Sequence, residues 1–273
     1  VKERISAIIE EKNFYLKNFL KCETADLETT LKEYGGFAEK LKPFVTNVSI
    51  VLDQMMHSGR QLLFEGAQGT HLDIDHGTYP FVTSSNTIAG NACSGTGIGP
   101  GAINGVVGIM KAYTTRVGSG PFPTELFDAV GEHLQRVGVE FGATTGRKRR
   151  CGWLDTVLVN NAVRLNGLTG LAITKLDVLS GLESINICTG YEVDGKKIDY
   201  FPAHLKTLAA CRPIYETVPG WPDDISKARA LGDLPENARY YIRRIEAITG
   251  VPAQIISVGP HRESTIVTVH PFR

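Results

Sequence analysis

Apolar residues recur along this chain with a helical period at first and in short strand-length runs later, the change falling near Gly59. Ile5, Ile8, Ile9, Leu16, Phe19 and Leu20 lie near one face at 3.6-residue spacing, which predicts a helix packing on a core. Two further helical stretches reach about Ser58, so residues 1–59 are expected to form a helical lobe serving as support or lid. Arg60 to Glu65 (RQLLFE), stopped by Gly66, predicts a buried strand ending in a loop. Similar runs recur at Val106 to Tyr113 and Leu168 to Thr174, with a helix expected between them at Gly152 to Leu165, its partial apolar face made by Leu154, Val157, Leu158 and Leu165. This alternation predicts an α/β fold over residues 60–273, with a mainly parallel sheet, flanking helices and ligand loops at the C-terminal ends of the strands. Asp194-Gly195 between Ile185–Tyr191 and Lys197–Phe201 signals a β-hairpin. A helix over Pro235 to Thr249, a run at Gln254 to Ser257 and a last strand from Ser264 to Val269 close the chain.

Composition narrows the classes. At 273 residues and 42% hydrophobic, the chain can bury a sizeable core. Lys plus Arg equals Asp plus Glu at 29 each, which gives no reason to expect nucleic acid or an anionic membrane as partner, so any anion site must be local. Five scattered cysteines without a C-x-x-C pair argue against a disulfide framework or zinc knuckle and fit a reducing cytoplasm. The first twenty residues are charged at helical intervals, unlike a signal peptide or membrane span. A start at valine inside a helical pattern leads to the expectation that upstream sequence has been removed.

The richest local chemistry is the loop from Gly142 through Ala143, Thr144, Thr145, Gly146, Arg147, Lys148 and Arg149 to Arg150. Glycines admit an anion to the backbone, threonines donate, and arginines fork onto carboxylate or phosphate, so the string suits an anionic small molecule. A solvated basic turn or a nucleic-acid patch is the competing reading, weakened by the neutral chain and the lack of interleaved aromatics. Thr174-Lys175-Leu176-Asp177 emerges from a strand end; an aspartate there can accept from guanine N1–H and its 2-amino group while the lysine stem lies along the base. The alternative is an exposed strand terminus. In Phe64 to Thr70 (FEGAQGT) and Asp73 to Asn86, the Gln68 amide can read a purine edge and Thr83 can hold a phosphate or sugar oxygen. Asp73, Asp75 and His76 invite a metal reading, but this spacing nominates no further ligands, and a structural role is preferred. Gly190 to Lys197 mimics a phosphate loop, yet Lys197 stands where the Ser or Thr for magnesium belongs, so it reads as a turn.

Taken in order, FEGAQGT, DIDHGTYPFVTSSN, KAYTTRVGSGPFPTEL, FGATTGRKRRCGWLD, TKLDVLSGL, PIYETVPGW and SVGPHR resemble the adenylosuccinate synthetase family from the first helix to the final strand. That resemblance implies a sheet of the P-loop NTPase-like type and a GTP-dependent ligase joining IMP and L-aspartate in purine biosynthesis. In it the O6 of IMP is phosphorylated and the aspartate amine then displaces phosphate. It further implies that Gln68, Thr83 and Arg147 contact IMP, Gln68 also supporting catalysis. Ala143 through Arg149 would close on aspartate, and Lys175, Leu176, Asp177, Ser257, Val258 and Gly259, with Arg149, would take GTP. Lys148 stands where arginine is frequent, losing the planar fork, and Val258 where threonine is frequent. A glycine-rich phosphate loop with the catalytic aspartate, histidine and magnesium ligands is expected ahead of Val1, making these residues inactive alone, with residual nucleotide binding as the alternative. A cytoplasmic homodimer with small-molecule substrates, and no nucleic-acid or membrane partner, completes the implication.

Overall fold

The computed structural model describes residues 2–142 and 146–271, which divide into two compact units, 1–59 and 60–273. The first unit holds α1 (Lys2–Tyr15), which runs on as a π-turn at Leu16–Leu20, then α2 (Leu27–Leu41) and α3 (Val48–His57). Asp26 caps α2 by accepting from the Thr29 N–H at 2.8 Å, and Asn47 caps α3 through Ile50. None of these helices buries a residue, and Phe14 and Phe19 of the first stay largely exposed. The expected packing of its apolar face on a core is therefore not realised within the unit, because three short helices supply too few facing side chains to exclude water.

The second unit begins without the expected strand. Residues 60–68 have no regular structure, and Leu63 is exposed. An apolar run becomes a strand only where its N–H and C=O groups find a ladder partner, and 60–65 has none among the described strands. Then follow α4 (Asn91–Thr96), β1 (Val107–Lys111), β2 (Thr114–Arg116), α5 (Ala129–Val137), β3 (Arg150–Gly152), β4 (Leu154–Asp155) and α6 (Thr156–Asn166). The chain continues through β5 (Gly170–Thr174), β6 (Ser184–Val193), β7 (Lys196–Ile198), α7 (Leu205–Ala210), β8 (Arg212–Pro219), α8 (Glu236–Thr249), β9 (Ala253–Ser257) and β10 (Thr265–Val267).

The central sheet has the order β1-β5-β9-β10, parallel except for the last pair, as expected from the alternation of strand and helix. Register pairs Lys111 with Thr174 and Ile173 with Ile256, so the loops after β1, β5 and β9 emerge at one edge. A second sheet pairs β4 with β6 in parallel and β6 with β7 and β8 in antiparallel. The β6–β7 turn carries Asp194 at φ 51° and Gly195 at φ 71°, the two left-handed residues of a tight hairpin, and confirms that the phosphate-loop mimic is a turn. One apolar core joins the strands to α8 through Tyr241, Ile242 and Ile245, with Trp221 fully buried. Asp155 caps α6 and accepts from the Tyr191 hydroxyl at 2.6 Å; burial nonetheless pushes its carboxyl up to about 6. The cysteines are unpaired, with Cys22 exposed and Cys151, Cys188 and Cys211 buried.

Candidate functional site

The loop carrying Gln68 and Thr83 is organised by one carboxylate. Asp73, fully buried, accepts the backbone N–H groups of Asp75, His76, Thr87 and Ile88 at 2.9, 3.1, 2.5 and 3.2 Å, and the Asn86 amide at 3.3 Å. Burial pushes its pKa up, but the four N–H bonds outweigh this and hold it near 2. Asn166, at the end of α6, ties the same loop down by accepting from the Ala89 N–H and donating to Thr70. Arg116 adds a third tie, to the Thr78 hydroxyl at 2.7 Å. Gln68, exposed, adopts φ 62°, a left-handed conformation uncommon outside glycine, and Thr83 is fixed by its N–H bond to Leu72.

At the C-terminal edge of the central sheet a second carboxylate gathers cations. Glu140, with no exposed surface, accepts from Lys111 Nζ at 2.7 and 2.8 Å and from the Tyr113 hydroxyl at 2.6 Å. It also accepts from Arg149 at 3.0 Å and Lys175 at 3.1 Å. Burial raises the Glu140 pKa, but Lys111, Tyr113 and Arg149 override it and hold the group near 2. Lys111 is itself pushed down by burial and by the neighbouring cations, against Glu140's pull upward. The geometry of three cations around one anion decides for an ionised cluster at neutral pH, carrying a surplus of positive charge. Gly138 makes room for it, since a Cβ there would fall 2.2 Å from the Tyr113 hydroxyl. The Gly138 carbonyl also accepts from Lys175 Nζ.

Lys175 adopts φ 58° at the end of β5 and turns the chain into the short helix Leu176–Leu179. Asp177 sits in that turn, half buried, with its Oδ1 buried and without a hydrogen-bond partner. Burial raises its pKa; Lys175 pulls it down and Asp224 pushes it up. The turn packs against β9, and the chain leaves the sheet there through Ser257 at the strand's end and Val258 and Gly259 just beyond it. Val258 is buried and binds Ser264 through its N–H, while the Ser257 hydroxyl donates to the Gly259 carbonyl.

The structure thus brings Arg149, Lys175 and Asp177 to one edge with Ser257–Gly259. Gln68 and Thr83 lie on the separate Asp73 loop. Gly146, Arg147 and Lys148 are exposed, and Ala143, Thr144 and Thr145 lie outside the described residues. The four adjacent cations do not act as one patch: Arg150 forks onto Glu125, with its Nε at 2.6 Å, and donates to the Gly120 carbonyl, while Arg149 turns to Glu140. Sequence reading missed Glu140, Lys111 and Tyr113. Their signal was a buried-looking acid just before the glycine loop and a K-A-Y string at a strand end, which gain meaning only once the fold joins them.

The family profile of adenylosuccinate synthetase matches residues 1–266. The adenylosuccinate synthetases of Desulfatibacillum aliphaticivorans and Desulforapulum autotrophicum are 62% and 61% identical to this chain over 263 and 265 residues. Those spans cover 96% and 97% of this chain but 61% and 62% of the two relatives, so the chain spans about three-fifths of their length. The structure of fully ligated adenylosuccinate synthetase from Plasmodium falciparum shares the fold with a TM-score of 0.92 at 38% identity, covering 98% of this chain and 63% of that one. A match running nearly end to end, with Arg149 and the Thr174–Asp177 turn at one edge of the sheet, leaves one conclusion: the chain belongs to the adenylosuccinate synthetase family.

Proposed function

We propose that this chain forms the guanine-, IMP- and aspartate-binding part of a ligase that makes adenylosuccinate from IMP and L-aspartate at the expense of GTP. The observation that carries the reading is Asp177: a carboxylate oxygen buried without a partner, beside Lys175 and at the C-terminal edge of a parallel sheet, where ligands of such folds bind. Its two oxygens match guanine N1–H and the 2-amino group, with the Lys175 stem along the base and Ser257–Gly259 at its rim. The surplus cationic charge around Glu140 favours anionic co-substrates at the same edge. Arg149 and Arg147 fork onto the aspartate carboxylates together with the loop begun by Ala143, Thr144 and Thr145; Gln68 and Thr83 hold IMP.

Magnesium, which the family implies, has no cage here: among the described residues no three His, Cys, Asp or Glu side chains converge, and Asp73 is saturated by N–H donors. None of the residues named above forms a glycine-rich loop ending in Lys-Ser or Lys-Thr, and phosphoryl transfer is assigned to groups other than them. Homodimeric assembly and a cytoplasmic location follow the family reading; among the described residues no helix is long and apolar enough to cross a membrane.

Mixed with IMP, L-aspartate, GTP and magnesium, the purified chain is expected to yield no adenylosuccinate, and steady-state product would overturn this assignment of the chemistry. Calorimetric titration with GDP tests the guanine site directly, and silence at millimolar GDP counts against it. Asp177→Asn is expected to weaken GDP about 100-fold (~2.7 kcal/mol), because an amide turns a donor towards the 2-amino group. The same variant should gain xanthosine diphosphate, whose 2-oxo group accepts that donor. Equal loss of both nucleotides would remove Asp177 from base recognition.

A further inference from the structure

We propose that Glu140 is a positioning residue that fixes Arg149 and Lys175 side by side, so that the guanidinium assigned to aspartate and the turn reading guanine act as one rigid unit. The inference rests on the ligand assignments for Arg149 and Lys175 made above. One fully buried carboxylate spans both: its Oε2 accepts from Arg149 at 3.0 Å and its Oε1 from Lys175 at 3.1 Å. The two cations come from separate parts of the chain, the segment entering β3 and the end of β5. Like charges repel, and the anion between them is the one group bonded to both, the Gly138 carbonyl helping only with Lys175. Lys111 at 2.7 Å and the Tyr113 hydroxyl at 2.6 Å complete the cradle from β1 and the residues after it, so Glu140 cannot swing away without stripping four donors.

The backbone points the same way. Val139, immediately before Glu140, sits at φ 48° with its side chain exposed, and Lys175 at φ 58°. A β-branched residue in the left-handed region is a genuine outlier, and such strain persists only where surrounding bonds enforce it. Here the cradle around Glu140 acts together with the backbone turn, in which the Glu140 N–H donates to the Gln135 carbonyl at 2.9 Å. A cluster serving stability alone needs no strained approach to the anion, nor both cations at the edge where Asp177 lies.

Two measurements decide the matter. In the 273-residue chain, ε-amine labelling followed by mass spectrometry is expected to show Lys175 reacting several-fold faster in Glu140→Gln than in the wild type, since the ammonium loses its anion. Glu140→Asp, which keeps the charge but withdraws it by one methylene, carries this arm if the glutamine variant fails to fold. In a full-length enzyme carrying these residues, Glu140→Asp is expected to raise KM for both GTP and L-aspartate about tenfold while kcat falls less than about threefold. A lower kcat with both KM values unchanged indicates a structural role only and overturns the proposal, as does unaltered Lys175 labelling. Absence of wild-type turnover defeats the underlying functional reading and the proposal with it, whereas turnover with unmoved KM values defeats the proposal alone.

Discussion

Glu140→Gln is expected to lower the stability of the second unit by about 3–5 kcal/mol, the range for removing one partner of a buried ion cluster. Glutamine keeps the volume and one acceptor, yet leaves Lys111, Arg149 and Lys175 facing one another around a neutral group. The depressed pKa, set by the same contacts, points the same way: from 4.5 to about 2 is on the order of 3 kcal/mol favouring the ionised, folded form. Because the folded value lies below the unfolded one, this stabilisation is complete above about pH 4.5 and is lost as pH falls towards 2. Denaturant unfolding followed by the fluorescence of the buried Trp153 and Trp221 should show wild type and variant far apart at pH 7 and converging below pH 4. A difference under about 1 kcal/mol at pH 7 would mean that the cations relax into solvent and that the cluster is not under electrostatic tension.

Asp73→Asn is expected to cost about 2–3 kcal/mol and to loosen the loop that carries Gln68 and Thr83. The carboxylate receives N–H groups on both oxygens; the amide can satisfy one side only, and its own donor then confronts either Thr87 and Ile88 or Asp75 and His76. Amide hydrogen exchange should therefore quicken at Thr87 and Ile88 while the central sheet stays protected, a local opening rather than a global one. Unchanged protection at both amides would show that Asn166 and Arg116 suffice to hold the loop. The wild-type pKa of about 2 puts the same loosening within reach of acid, below pH 4.

Much of the fold could be read from the sequence because its elements are set locally. Of the stripe that a 3.6-residue period predicts on α8, Ala238, Ile242 and Ile245 are buried and Ile248 is half-buried against the core, and Asp194-Gly195 turns the hairpin because those residue types tolerate positive φ. The run at 60–65 misled because a ladder needs a partner strand, which apolar pattern alone cannot supply. Asp177 was legible as a candidate from its place at a strand end. Glu140 was not, since its donors Lys111 and Lys175 are distant in sequence and meet only when β1 and β5 pair. Within the cation string 147–150 the division of labour was hidden for the same reason: Arg150 is claimed by Glu125, a partner well upstream that no local window reveals.

The distribution of the five thiols turns this chain into its own reporter of motion. Burial pushes the Cys151 thiol up to about 11 and raises Cys188 and Cys211 as well, so none of the three offers appreciable thiolate near neutrality. An alkylating pulse modifies exposed Cys22 in the helical unit at once and half-buried Cys93 more slowly, and it reaches Cys151, Cys188 and Cys211 only when the body parts. The order in which mass increments arrive therefore times the breathing of one unit against the other, with no engineered probe.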